Sequence, residues 1–327
     1  MENNNQTLPN WFYLPGLSTD PQLQVIGFLV FLVIYMITLT GNCLLLITVR
    51  ISPTLHTPMY FFLSNLSFID ICFSTTIVPV ILMNTLSSDK SISTYSVILM
   101  NTLSTDKSIS VGGCMVQMFC YLVCGVAECI LLAIMAYDRF VAICRPLHYS
   151  SIMNMKICII LALTPWIIGL INSTIQVHIT WRLPFCRTHH VHHFFCEVPP
   201  FLRLSCKDPL LNEISMYVAA GIIVLCSFLL TLISYIYIIS TILRIHSTQG
   251  RRAVFSTCTS HLIVVTLYYG TIMSIYLQPR SFHSVEKDKI VSVLYTAVTP
   301  MLNPIIYSIR NKEVKSSIIA NIQKIIK

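Results

Sequence analysis

Seven apolar segments dominate this chain, and each is long enough to cross a hydrocarbon core of about 30 Å as a helix. They lie near residues 24–49, 58–86, 111–141, 157–177, 210–243, 253–277 and 289–309. In lipid, backbone N–H and C=O groups must be paired internally, so only helices and closed barrels span. These runs lack the alternating pattern of a membrane barrel strand. The expected fold is therefore an all-α membrane protein, a seven-transmembrane helix bundle. Segment five exceeds one minimal span and is expected to project into the cytoplasm. Pro79, Pro300 and Pro304 fall inside segments two and seven, where neighbouring helices can re-pair the carbonyls they free.

Composition removes the soluble alternative. Only 10% of the 327 residues are charged and 55% are hydrophobic, whereas a soluble domain carries about 25% charged residues. The net charge of +8 is spread over loops, without a basic run dense enough for nucleic acid. The sequence has no HExxH, GxSxG or P-loop pattern, so nothing in it points to an enzyme.

Lys and Arg in the short loops set the orientation. Arg50, Arg139, Arg145, Lys156, Arg244, Arg251, Arg252, Arg310, Lys312 and Lys315 collect on one side. The other side has a Lys/Arg-free N-terminus and Lys90, Lys107, Arg182, Arg187, Arg280, Lys287 and Lys289. The bias places residues 1–23 outside, 24–309 in the membrane and the tail 310–327 in the cytoplasm of a plasma-membrane protein. Asn5-Gln6-Thr7 is then a glycosylation acceptor. The similar triplets at Asn65 and Asn172 lie in apolar segments, out of reach of the transferase. Cys114, Cys186, Cys196 and Cys206 fall on the outer side, where disulfides persist. In the tail, cations alternate with Val314, Ile318, Ile319, Ile322, Ile325 and Ile326. That pattern predicts a short helix lying in the inner interface, with a frayed terminus as the alternative.

One repeat interrupts the plan. Val80 to Ser93 reads VILMNTLSSDKSIS and Val97 to Ser110 reads VILMNTLSTDKSIS, differing only at Ser88 against Thr105. Two near-identical copies indicate a tandem duplication and not a solenoid, which needs more units. The duplicated stretch, 80–110, is expected to enlarge the first outer loop, or its apolar part to prolong a helix.

Ionisable residues inside membrane helices are costly, which makes them functional candidates. Asp70 lies deep in segment two, Glu128 in segment three, and Asp138-Arg139 at the cytoplasmic end of segment three. Asn42 and Asn303 lie within segments one and seven. Together they predict a polar core between helices. Asp70 and Glu128 can share a cation such as Na⁺, or form a hydrogen-bonded network with one acid protonated. A buried Arg139 able to exchange partners is a two-state element; an interfacial anchor that snorkels is the plainer role.

These residues carry a resemblance. The stretch Met135 to Cys144, MAYDRFVAIC, closely resembles the odorant-receptor signature, with Phe140 at a position more often tyrosine. Gly41-Asn42, Pro58 to Leu63 (PMYFFL), Ser234-Tyr235, Phe255 to Leu262 (FSTCTSHL) and Pro300 to Tyr307 (PMLNPIIY) match in order along almost the whole chain. The chain is thus identified as a member of the odorant (olfactory) receptor family of rhodopsin-like G-protein-coupled receptors. The resemblance implies a small volatile odorant bound between the outer halves of helices three, five, six and seven. It also implies an active state that engages a stimulatory G protein of the olfactory type and raises cyclic AMP. By the same resemblance Arg139, beside Asp138, would face the G protein. Tyr235 and Tyr307 would rearrange with it, His261, Asn303 and Pro304 would belong to the switch, and Tyr269 would lie beneath the ligand. Tyr121, Leu122, Gly125, Val126, Gly221, Tyr269, Met273 and Tyr276 offer apolar surface and a few hydroxyls for such a ligand, though ordinary helix packing also accounts for residues of these types.

The resemblance pairs Cys114 with Cys196 and Cys186 with Cys206, whereas four cysteines by themselves allow three connectivities. His189, His190, His192 and His193 crowd the same loop. Imidazoles at that density can bind Zn²⁺ or copper, but Cys196 in a disulfide has no thiolate to add, and no metal site is expected. A transporter or channel is the alternative class, yet inverted halves with matching broken helices are not evident. A poorly folded, non-signalling relative is the third reading, because of the duplication.

Overall fold

The structure is a computed structural model that describes residues 11–14, 21–86, 108–185, 190–191, 193–276, 285–310 and 312–326. Its long elements are α1 (Pro21–Ile51), α2 (Pro58–Leu86), α3 (Val111–Cys144), α5 (Met155–Trp181), α7 (Leu210–Leu243), α8 (Thr248–Tyr276) and a seventh helix made of α9 (Val285–Val293), a π-helical turn (Leu294–Val298) and α10 (Thr299–Arg310). Two short helices, α4 (Tyr149–Ile152) and α6 (Val198–Leu202), lie in connections, and α11 (Lys312–Ile326) follows the bundle. Among the described residues six helices are long and apolar enough to cross a membrane: α1, α2, α3, α5, α7 and the seventh. α8, with 29 residues, completes the bundle. α3 is the axial helix and contacts α2, α5, α7 and α8.

Large apolar side chains face outward along α1, α5 and α7, among them Val33, Ile167, Ile171, Ile222 and Ile236. A water-facing surface of that kind would be unsolvated, so these faces are built for lipid. Inside, small residues let helices approach. A Cβ on Gly169 would meet the Val123 carbonyl oxygen at 2.9 Å, which sets α5 tightly against α3. A Cβ on Gly41 would meet the Pro304 ring at 3.0 Å.

The prolines of the seventh helix are compensated as membrane helices require. Pro304 has no N–H to give the Pro300 carbonyl one turn earlier. Asn42 Nδ2 donates to that carbonyl at 3.2 Å and to the Thr38 carbonyl at 3.0 Å. A buried asparagine on α1 is thus explained by a missing donor on α10. The π turn brings Tyr295, Thr296 and Ala297 all into the interior.

At one end β1 (Trp11–Tyr13) pairs antiparallel with β2 (Ser108–Ser110), with Phe12 opposite Ile109. Phe12 is fully buried among Trp181, Phe185 and Phe201. Ser110 then caps α3, its Oγ accepting from the Gly113 N–H at 3.1 Å. The two copies of the repeat are used differently. The VILMNTL of the first copy is the last turns of α2, with Val80, Ile81 and Asn84 buried. The SIS of the second copy is β2. Residues 87–107, where an enlarged loop was expected, lie outside the described residues, as do Asn5 and its sequon.

At the opposite end α11 turns back along α1 and α10. Val314 is fully buried, Glu313 Oε2 accepts from the Tyr60 hydroxyl at 2.7 Å, and Asn321 Nδ2 donates to Ser52 Oγ at 3.2 Å. The tail is an ordered helix here, not a frayed end.

Candidate ligand pocket and switch core

A partly open cavity of about 90 Å³ lies between α3, α5, α7 and α8, just inside the β-ribbon end. It is smaller than the ~150 Å³ apolar cavity known to take benzene, so it suits a compact organic molecule. α3 gives it Tyr121, Leu122, Gly125, Val126 and Cys129, residues that share one helical face. α7 adds Met216, Ala219, Ala220, Ile223 and Val224 at the same periodicity. Phe73 of α2, Asn172 and Gln176 of α5, Tyr268 and Ile272 of α8, and Tyr295 of the π turn close the sides.

The loop after α5 forms the roof, and Val198 reaches the cavity from it. A disulfide between Cys114 and Cys196 ties that loop to α3. The Cys196 N–H donates to Gln117 Oε1 at 2.9 Å, and Gln117 Nε2 donates to the Thr76 carbonyl at 3.0 Å, so one glutamine links roof, α3 and α2. The next residue, Glu197, is buried. Its Oε1 accepts from the Tyr295 hydroxyl at 3.0 Å and the Tyr121 hydroxyl at 3.3 Å; its Oε2 lies 3.5 Å from Ser292 Oγ and 3.7 Å from His193 Nε2. Phe194 and Phe195 are fully buried, with Phe195 edge-on to Tyr121 at 5.4 Å. A buried carboxylate needs several donors, and here they come from the roof, α3 and the seventh helix.

Of the ligand residues expected from sequence, Tyr121, Leu122, Gly125 and Val126 line the cavity. Gly221 does not: Ala220, Ile223 and Val224 face it, and the helical pitch turns Gly221 away. Met273 is likewise displaced by Ile272. Tyr269 sits behind the wall and not at the cavity. Its hydroxyl donates to the Cys129 carbonyl at 2.9 Å and its ring packs edge-on to Phe228. The Tyr276 side chain lies outside the described residues. Gln176, Asn172 and Glu197 were not singled out for the pocket. Asn172 and Gln176 are four apart inside an apolar helix, a spacing that puts both on one face and was available as a signal.

Further along α3 is a polar core. Asn303 Nδ2 donates to both carboxylate oxygens of Asp70 at 3.1 Å. Glu128 is fully buried close by, and neither of its oxygens has a hydrogen-bond partner in good geometry. At the far end Asp138 Oδ1 accepts from the Tyr149 hydroxyl at 2.9 Å. Burial, then the Asp138 carboxylate beside it, pushes the Tyr149 phenol up, which keeps it a proton donor. Arg139 is buried beside Cys258, Tyr235, His261 and Tyr307. Tyr235 Oη lies 2.7 Å from His261 Nδ1, with the rings stacked. The Tyr307 hydroxyl is buried with no hydrogen-bond partner. The structure therefore brings the expected switch residues of α3, α7, α8 and α10 to one end, with Pro304 packed on Gly41 between that end and the polar core.

Cys206 is also disulfide-bonded, and its partner is not among the described residues; Cys186 lies outside them. Of the loop histidines, His190 is exposed against Tyr13 and His193 is buried on Phe194, while His189 and His192 lie outside the described residues. Among the described residues no cluster of three metal-binding side chains forms.

The Olfactory receptor family profile matches residues 31–324. The chain belongs to the olfactory receptor family. It is 45% identical to Olfactory receptor 8U3 of Mus musculus over 306 residues, 94% of this chain and 91% of that one. It is 46% identical to Olfactory receptor 5B21 of Homo sapiens over 314 residues, 96% of each. With Olfactory receptor 8H3 of Homo sapiens the identity is 44%, over 99% of this chain and 98% of the other. As an olfactory receptor the molecule is an all-α, multi-pass membrane protein that receives odorants and acts through G proteins, and it is not an enzyme. In this olfactory receptor the cavity and the Arg139 cluster occupy opposite parts of the same helix, α3.

Proposed function

We propose that this receptor binds small volatile organic molecules in the cavity and activates a stimulatory G protein of the olfactory type, raising cyclic AMP. The observation that carries the reading is a mainly apolar cavity whose main wall, α3, runs unbroken to a buried Arg139. A ligand larger than the cavity forces Ile223 and Val224 of α7 and Ile272 of α8 apart from α3. The Tyr269 bond to Cys129 lies against that wall, so α8 is the element that moves. At its other end the Tyr235–His261 contact opens, and Arg139 becomes available to the G protein. The Lys/Arg bias and the disulfide-bonded roof support a plasma-membrane receptor with the N-terminus outside and Asn5 glycosylated.

We further propose that Asp70, Glu128 and Asn303 hold one hard cation such as Na⁺. Both Glu128 oxygens and Asn303 Oδ1 are buried without a hydrogen-bond partner, and oxygen donors suit such an ion. Its charge would allow both carboxylates to stay ionised.

The test is a cyclic AMP reporter in cells carrying the receptor with an N-terminal tag, screened with a volatile panel. Tagged protein at the surface and an odorant-evoked rise that vanishes without the stimulatory α-subunit is expected. A ligand-gated current or solute flux independent of G protein would overturn the reading. Replacing external and internal Na⁺ by a bulky organic cation is expected to shift agonist potency in the wild type and not in Asp70→Asn. Equal shifts in both would remove the cation.

A further inference from the structure

Among the described residues that line the cavity, Gln176 carries a buried acceptor without a partner. The hydroxyls around it are already engaged: Tyr268 donates to the Gly125 carbonyl at 2.6 Å, and Tyr121 and Tyr295 donate to Glu197. Gln176 differs. It lines the cavity and is 3% exposed. Its Nε2 donates to the Ser215 carbonyl and Oγ, both at 3.3 Å. A main-chain carbonyl only accepts, so this contact fixes which way the amide points. The amide oxygen is left over, buried and without a partner. A buried carbonyl in that condition costs free energy until a donor reaches it. One turn away on the same face of α5, Asn172 also lines the cavity.

Among the described residues that line this cavity there is no Lys, Arg or His, and the Glu197 carboxylate is held at its roof by Tyr121 and Tyr295. A carboxylate ligand would meet no counter-charge and a negative roof, and would be desolvated at high cost. Elsewhere the wall is almost all carbon. We propose that this receptor selects neutral hydroxyl compounds, compact aliphatic alcohols, whose O–H donates to Gln176 Oε1 while the carbon skeleton fills the space between α3, α7 and α8. The inference rests on the odorant-receptor reading and narrows it to a ligand class.

The experiment compares matched sets on one carbon skeleton: the alcohol, its methyl ether and the corresponding carboxylic acid. The alcohol is expected to act at roughly tenfold lower concentration than the ether, the value of one added hydrogen bond. The acid is expected to be inactive. In Gln176→Leu the alcohol should lose roughly that tenfold, while the ether keeps or gains potency. Retained ether response and surface staining show that the variant folds. If Gln176→Leu does not reach the surface, the alcohol-to-ether ratio on the wild type decides alone. Ethers or acids matching the alcohols on the wild type would overturn the inference and leave the receptor reading intact. A surface-expressed receptor silent to every volatile tried would overturn both.

Discussion

The two ends of α3 treat buried polar atoms in opposite ways. Under the roof they are matched almost one to one: Gln117 joins Cys196 to Thr76, Glu197 gathers Tyr121, Tyr295 and Ser292, and Tyr268 is tied to Gly125. From the middle of the bundle to the Arg139 end, Asn42 Oδ1, Asn303 Oδ1 and the Tyr307 hydroxyl are buried without such matches. An unmatched buried group costs about 1–3 kcal/mol. An unmatched group gains by finding a partner, and a group that already bridges several elements loses by leaving them. The ribbon end is thus built to keep its shape around a ligand, and the Arg139 end to exist in two arrangements. Under the roof, Gln176 Oε1 beside the cavity, Trp181 Nε1 and Ser173 Oγ are also buried without a partner, and of these residues only Gln176 lines the cavity.

The largest test of this contrast is Glu197→Ala. It removes the acceptor shared by Tyr121 and Tyr295, two hydrogen bonds to a charged group worth roughly 1.5–3 kcal/mol each in general. The expected result is a receptor with a clearly lower melting temperature in detergent and weakened response to every odorant alike. A melting temperature and odorant profile like the wild type would show that the roof is not held this way. A smaller effect of different kind is expected from Tyr149→Phe. It takes away the hydroxyl that donates to Asp138 at 2.9 Å and touches no group of the cavity. Thermal stability should change by about 1 kcal/mol or less, since Tyr149 is half-buried. Basal cyclic AMP should rise several-fold, because Asp138 and the neighbouring Arg139 gain freedom to exchange partners. Unchanged basal signalling would break the claim that this end is poised between two arrangements.

Sequence reading reached the scaffold more surely than the cavity, for reasons visible in particular residues. Helix placement follows from lipid-sized apolar runs, and the seven segments fall within a few residues of the helices found. Asp70, Glu128 and Arg139 were legible because ions inside apolar helices stand out from their surroundings. The disulfide of Cys114 needed the family resemblance, since spacing alone leaves three pairings. The cavity wall depends on helix rotation, which a uniformly apolar helix does not declare. Neighbours such as Tyr268 and Tyr269, or Ala220 and Gly221, are alike in chemistry yet only the first of each pair reaches the cavity. The partner of Pro300 was hidden for another reason: Asn42 is far away in sequence, and only the folded bundle shows that it replaces the donor Pro304 lacks.

The smallest expected effect concerns the duplicated segment, and it sharpens the contrast by testing how far the ribbon end depends on its connections. The first copy supplies the end of α2 through Leu86, and the second supplies β2 from Ser108 together with the Ser110 cap. Deleting residues 87–103 joins Leu86 to Ser104 and restores a single VILMNTLSTDKSIS. Every residue removed lies outside the described ones, and Ile109 opposite Phe12 keeps its place in the strand pair. Closing the shorter connection costs less chain entropy, by about 1.5 kcal/mol at most. The shortened receptor is therefore expected to reach the surface better than the full chain, with an unaltered odorant profile. Equal or worse surface staining would show that the second copy does more than span the distance. A changed profile with normal staining would place part of the duplicated segment at the ligand, and the roof would then extend beyond the loop that carries Cys196 and Glu197.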